Sequence, residues 1–206
     1  QMRIVSCDLK NLLLIILTGI LLFCPAKSEE WGSENQGLLY EEEYWQEEDD
    51  NDAESSENLL YNGDFELTDP DGCPEGWYPG QYHTNSDNTE FSNPVDEETG
   101  RGRVAEIWNA AKNDARYEQT VHVEPETIYC LSGYIWAEDI KGGHGANFSI
   151  DNIYSFSEEV FDTGGEWVYI EYYGVTGPEQ NQITVFIRVG GYGGESTGRA
   201  RFDDLC

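Results

Sequence analysis

The sequence predicts an all-β fold, an antiparallel β-sandwich, on three observations. From Asn58 onward, apolar and polar residues alternate with a period of two in one short segment after another. Gly, Pro, Asn and Asp turns separate these segments at short intervals, and no stretch of ten or more residues carries a helical stripe. Many short strands joined by frequent turns bury their apolar faces best as two packed antiparallel sheets. Residues 58–206 are enough chain to build the core of one independent domain.

Two segments precede that domain. Met2-Arg3 and Lys10 flank the start of an apolar run from Leu12 to Phe23, and Ala26 and Ser28 offer small residues at a cleavage site. The run is shorter than the roughly twenty residues a membrane span needs. Residues 1–28 therefore read as a secretory signal peptide cleaved after Ser28, and the mature protein as secreted, with no membrane association. Residues 29–57 hold thirteen Asp or Glu and no Lys or Arg. Self-repulsion and a shortage of apolar surface make this an acidic, disordered linker.

The strands follow in order. Arg103–Asn109 sets Glu106 and Trp108 against Ala105 and Ile107, and Tyr117–Val123 sets Tyr117, Gln119 and Val121 against Glu118, Thr120 and His122. In Ile128–Ala137, Leu131, Gly133 and Ile135 face one way while Ser132, Tyr134 and Trp136 face the other. Phe148–Phe156, Trp167–Tyr173 and Ile183–Val189 continue the series. The last of these places Ile183, Val185 and Ile187 opposite Thr184, Phe186 and Arg188. Asn58–Glu66 and Gly198–Leu205 read as the first and last strands, lying side by side, with Glu66 and the Asp203/Asp204 pair able to share one hard cation.

These alternations carry the functional expectation. Outward positions of a sandwich should be polar, yet here they include Trp108, Tyr134, Trp136 and Phe186, interleaved with Glu106 and Arg188. Exposed rings beside hydrogen-bonding groups suit sugars, because a ring covers the C–H-rich face of a pyranose while polar groups bind its hydroxyls. A formal net charge of −30 argues against nucleic acid and anionic lipid, both of which need Lys and Arg to meet phosphates. A neutral ligand, a basic ligand or a cation suits the chain better.

Several motifs occur in a familiar order: Asn58-Leu59-Leu60-Tyr61-Asn62-Gly63-Asp64-Phe65-Glu66, Gly76-Trp77, Tyr117-Glu118-Gln119-Thr120-Val121, Val123-Glu124-Pro125, Tyr129 to Tyr134, Gly165-Glu166-Trp167 and Phe202-Asp203-Asp204-Leu205. In this order they resemble the cellulase-C-like carbohydrate-binding modules, the group that includes families four, nine and twenty-two, across residues 58–206. The resemblance implies a jelly roll with galactose-binding-like topology and non-catalytic binding of polysaccharide or oligosaccharide in an aromatic-lined groove on a concave sheet. It also implies a structural calcium, with Glu66 and Asp203 as its carboxylates. The chain stops at Cys206, where the family's last strand normally runs on, which reads as a truncated product or a piece of a larger carbohydrate-active enzyme. A secreted, adhesin-like protein-interaction domain is the alternative.

Other chemistry finds little footing. Acids are abundant, but no pair stands out as the two carboxylates of a glycosidase, so the chain is not expected to be an enzyme. His83, His122 and His144 fall outside metalloprotease or nucleophile-elbow patterns. Asp69-Pro70-Asp71-Gly72 reads as a turn, and Gly190–Gly194 as a flexible one. Asn147-Phe148-Ser149 is the only glycosylation sequon. Loss of the signal peptide leaves Cys73, Cys130 and Cys206, from which at most one disulfide is expected, Cys73–Cys206 being favoured.

Overall fold

Alternating segments can bury their apolar faces only by stacking, and the structure, a computed structural model describing residues 58–84 and 88–206, stacks them as two sheets. The signal-peptide and linker readings lie outside the described residues. Among the described residues eleven strands run in chain order: β1 Tyr78–Gln81, β2 Thr89–Ser92, β3 Val95–Asp96, β4 Gly102–Arg103, β5 Ala105–Asn113, β6 Ala115–His122, β7 Ile128–Gly142, β8 Ala146–Ile150, β9 Val168–Val175, β10 Gln182–Val189 and β11 Ser196–Asp203. One sheet has the order β2-β5-β11-β7-β9, the other β1-β6-β10-β8, and β3 with β4 makes a small separate hairpin. All pairings are antiparallel.

The core lies between the sheets and is built from the inward half of each alternation. Ile107, Ile135, Ala137, Ala200 and Phe202 come from the five-stranded sheet, and Tyr117, Phe148, Val185, Ile187 and Val189 from the four-stranded one. Trp77 and Phe65 close one end, their ring centroids 5.3 Å apart, and the Trp77 indole N–H donates to the carbonyls of Tyr61 and Asn62. Because β11 runs between β5 and β7, its alternate residues face outward in the middle of a sheet. A bulge at Gly198 interrupts its register with both neighbours. There φ is +113°, and a Cβ would sit 2.6 Å from the Ile140 backbone, so only glycine lets the two strands approach.

The structure corrects two sequence expectations at this level. Asn58–Glu66 is a turn rather than a strand, with Phe65 N–H donating to Asn62 O and both residues at positive φ. It still meets the end of the chain: Asn58 Nδ2 and Leu205 N–H tie the two segments through Leu205 O and Gly63 O. The Cys73–Cys206 disulfide is not formed. The Cys73 thiol is buried beside Tyr117 and Phe91 O, where burial pushes its pKa up, whereas Cys206 pairs through its backbone with Ser132 on β7.

Candidate functional site

The outward half of the five-stranded sheet brings together four of the six ligand contacts expected from sequence. Cross-strand register sets Trp108 on β5 opposite Arg199 on β11, and Glu106 opposite Arg201. Arg201 in turn faces Trp136 on β7, while Asp203 faces Tyr134. Trp108, Tyr134, Trp136 and Glu106 are all half-buried and lie on the side away from the core, as the alternation predicts. Tyr169 on β9 extends the row, its ring centroid 5.3 Å from that of Tyr134.

Guanidinium groups lie over these rings. Arg199 sits 5.4 Å from the Trp108 ring centroid, Arg201 4.8 Å from that of Trp136, and Arg101 3.9 Å from that of Tyr134 and 4.9 Å from that of Trp167. Such stacking is favourable because the ring quadrupole attracts a weakly hydrated cation. Carboxylates complete the network. Arg201 donates to Glu106 at 2.8 Å and lies 3.7 Å from Asp96, which also accepts from the Trp167 indole N–H. Arg199 Nε lies 4.0 Å from Glu106, too far for a hydrogen bond, and is a buried donor with no acceptor among the described residues.

Arg199 and Arg201 were legible as outward residues of an Arg-Ala-Arg-Phe alternation, but nothing in the sequence marked their neighbours. Arg101 and Asp96 come from the β3–β4 hairpin and reach the face only through tertiary packing. The ionisation of this face follows from burial and pairing. Burial pushes the Asp203 carboxyl up to about 6, helped by the charge of Asp204 and opposed by Arg101. Burial likewise works against the Arg101 charge, but hydrogen bonds to Asp203 and Asp204 outweigh it and raise the Arg101 pKa. At Asp96 burial acts to raise the pKa, but hydrogen bonds from Thr99 and Trp167 and the charge of Arg201 overcome it and hold the carboxyl low.

The remaining two expected contacts are elsewhere. Phe186 and Arg188 do face away from the central core, but on β10, in the four-stranded sheet, so they cannot share a groove with Trp108 and Trp136. Nor are they accessible, being 5% and 1% exposed. The Arg188 guanidinium clamps Asp114 at 2.5 and 2.6 Å, and the Tyr192 ring lies over it with its centroid 4.6 Å away. Phe156 stacks on Tyr192, completing the cover. Gly191 and Gly194 make this cover possible: a Cβ at Gly191 would meet the Phe156 ring and one at Gly194 the His144 ring. The glycine run is a turn, as expected, in which glycine at 191 and 194 is a packing requirement. Asn147, the sequon residue, is fully buried on β8, with its amide donating to the carbonyls of Gly145 and Gly190.

The residues expected to hold calcium both meet the 101–103 segment. Glu66 accepts the Arg103 backbone N–H, while Arg101 bridges Asp203 and Asp204 at 2.8 and 2.7 Å. Among the described residues no three His, Cys, Asp or Glu side chains gather where they could hold a metal ion. Calcium needs six to eight oxygens; here Arg101 takes the Asp203 and Asp204 carboxylates and the Arg103 N–H takes one oxygen of Glu66, so a cation at this place would have to displace the guanidinium.

No protein-family model and no curated protein matches the sequence. Solved structures do. A family 61 carbohydrate-binding module in complex with β-1,4-galactotriose superposes with a TM-score of 0.50 at 19% identity, over 73% of this chain and 97% of that one. The domain has the jelly-roll fold of carbohydrate-binding modules. A family 4 carbohydrate-binding module matches with a TM-score of 0.48 at 15% identity, over 71% of this chain and 97% of the other. The family 22 and catalytic modules of a Clostridium thermocellum endo-1,4-β-D-xylanase 10B, complexed with xylohexaose, match at 0.48 and 15%, over 73% of this chain and 28% of that one.

Proposed function

We propose that the domain binds an uncharged polysaccharide or oligosaccharide, without catalysis, along the outward face of the five-stranded sheet. The observation that carries this reading is the row Trp108, Arg199, Arg201, Trp136 and Tyr134, in which aromatic planes alternate with guanidinium donors across three adjacent strands. Rings and the guanidinium groups beside them line one face that can take sugar C–H groups, while N–H edges and Glu106 meet hydroxyls.

Charge narrows the ligand. Residues 58–206 carry 27 Asp and Glu against eight Lys and Arg. On the face itself, Arg101 and Arg201 are paired with Asp203, Asp204, Glu106 and Asp96. A uronate or sulfated chain would meet repulsion from these carboxylates and find two of the three guanidinium groups already paired, so neutral sugars fit best. The test is pull-down of the full chain on insoluble neutral polysaccharides and on pectate and alginate. Retention on at least one neutral polymer, lost in Trp136→Ala, is expected. Retention only on the anionic polymers, or none anywhere, overturns the reading.

A further inference from the structure

A different part of the molecule has the shape of a ligand site. β1 is only four residues long and pairs with β6 over residues 115–118, leaving the rest of that β6 edge open. The turn at Leu59–Tyr61 and the Gly76 segment approach the gap without filling it. They leave a cleft of about 510 Å³ lined by Tyr61, Tyr78, Glu118, Thr120 and His122. Clefts that hold small ligands measure about 300–1,000 Å³ and combine apolar walls with a few polar groups.

The tyrosines are what set this cleft apart. Tyr61 and Tyr78 are 50% and 69% exposed, yet Tyr61 is held on every other side. Its ring lies on Gly76, where a Cβ would come within 2.5 Å of Cδ1, and its hydroxyl donates to Glu75 at 2.8 Å. The Gln119 side chain clamps its backbone, accepting from Tyr61 N–H at 2.8 Å and donating to Tyr61 O at 2.9 Å. An exposed ring fixed this firmly has already lost the freedom that binding would otherwise remove, so contact with it is less opposed by entropy. Beside it stand three polar side chains on the outward alternation of β6: the Glu118 carboxylate, the Thr120 hydroxyl and the exposed His122.

We propose that this cleft is a second sugar-binding site, taking one or two units of an uncharged glycan between Tyr61 and Tyr78. The rings cover the sugar's C–H faces, Glu118 accepts from neighbouring hydroxyls through the oxygen that Arg116 does not hold, Thr120, whose hydroxyl is bonded to that of Thr184, offers a remaining lone pair, and His122 donates or accepts as the sugar requires. The site lies on the four-stranded sheet and shares no residue with the row on the five-stranded one, so it does not rest on the reading of that face. A chain bearing both sites would hold a branched or looped polysaccharide at two points, with avidity above either affinity.

The test is titration of the isotope-labelled full chain with β-1,4-galactotriose, xylohexaose and cellotriose, following backbone amide signals. With at least one sugar, the signals of Glu118, Thr120 and His122 are expected to move along their own isotherm. Tyr78→Ala should weaken that isotherm roughly tenfold, the usual effect of losing a central aromatic contact. Trp136→Ala should leave it unchanged. Because Tyr78 is largely exposed its removal should not disturb the fold, and Glu118→Gln provides a second variant that keeps the shape. Cleft signals that stay still with all three sugars, or that lose their movement in Trp136→Ala, overturn the second site. Movement at the cleft with none at Trp108 and Trp136 overturns the reading of the five-stranded face and leaves the cleft standing.

Discussion

The two sheets place arginine beside aromatic rings in opposite ways. On the five-stranded face, Arg101, Arg199 and Arg201 lie on top of rings, partly exposed, and the aromatic–guanidinium surface faces out. On the four-stranded face, Arg188 lies beneath Tyr192 and Phe156, is clamped to Asp114, and is sealed from solvent. The residue types are the same, and so is their outward position in the strand alternation. What differs is whether a loop folds over them. The 156 and 190–194 segments cover β10, whereas the β3–β4 hairpin reaches β11 at Arg201 and Asp203 and leaves Arg199 and Trp108 partly open. The same chemistry thus becomes structural ballast on one sheet and a candidate binding surface on the other.

That comparison breaks or holds on stability first. Arg188→Ala leaves Asp114 buried without its partner and should cost about 3–5 kcal/mol in urea unfolding. The double change Asp114→Leu with Arg188→Met should recover most of it, because replacing both charges removes the desolvation penalty. A small loss in Arg188→Ala would mean the cover opens to water. Trp136→Ala and Tyr134→Ala act on the other sheet and should weaken polysaccharide binding by about 1–3 kcal/mol each, with cooperative unfolding retained. Unfolding of either variant would place these rings in the core after all. Arg201→Ala, which takes a largely buried guanidinium away from Glu106 and the buried Asp96, should cost about 1–3 kcal/mol, less than Arg188→Ala. A cost equal to that of Arg188→Ala would erase the distinction between the faces.

Acid sharpens the picture on the five-stranded face. The folded Asp203 carboxyl titrates near 6, above the roughly 3.9 of an unfolded aspartate, so between those values the folded state binds the extra proton. Its contribution to stability should therefore fall as pH rises from about 4 to 6 and level off above. Asp203→Asn should flatten that segment of the curve. Asp96 acts with the opposite sign: its lowered pKa contributes stability above about 4 that is lost as pH falls through the folded value. The smallest expected effect is that of calcium. With Arg101 already between Asp203 and Asp204, the melting temperature should be the same in millimolar calcium and in chelator. A rise with calcium that Asp203→Asn abolishes would show that the ion displaces the guanidinium.

Alternation by itself determined which residues form the core and which face away from it. Trp108, Tyr134, Trp136, Phe186 and Arg188 all fall on the predicted side of their strands, because a period of two is a property of the extended backbone and needs no partner. Tertiary structure alone decided which sheet each strand joined, and so separated Phe186 and Arg188 from the other three. It alone covered them, since the lid comes from loops whose distance along the chain carries no trace of their place in space. Tyr61 shows the same division. Its turn was read as a strand, and its fixed, exposed ring depends on Gly76, Glu75 and Gln119, which are 14 to 58 residues away in the chain. Local sequence sets where a side chain points, and only long-range packing sets what stands in front of it.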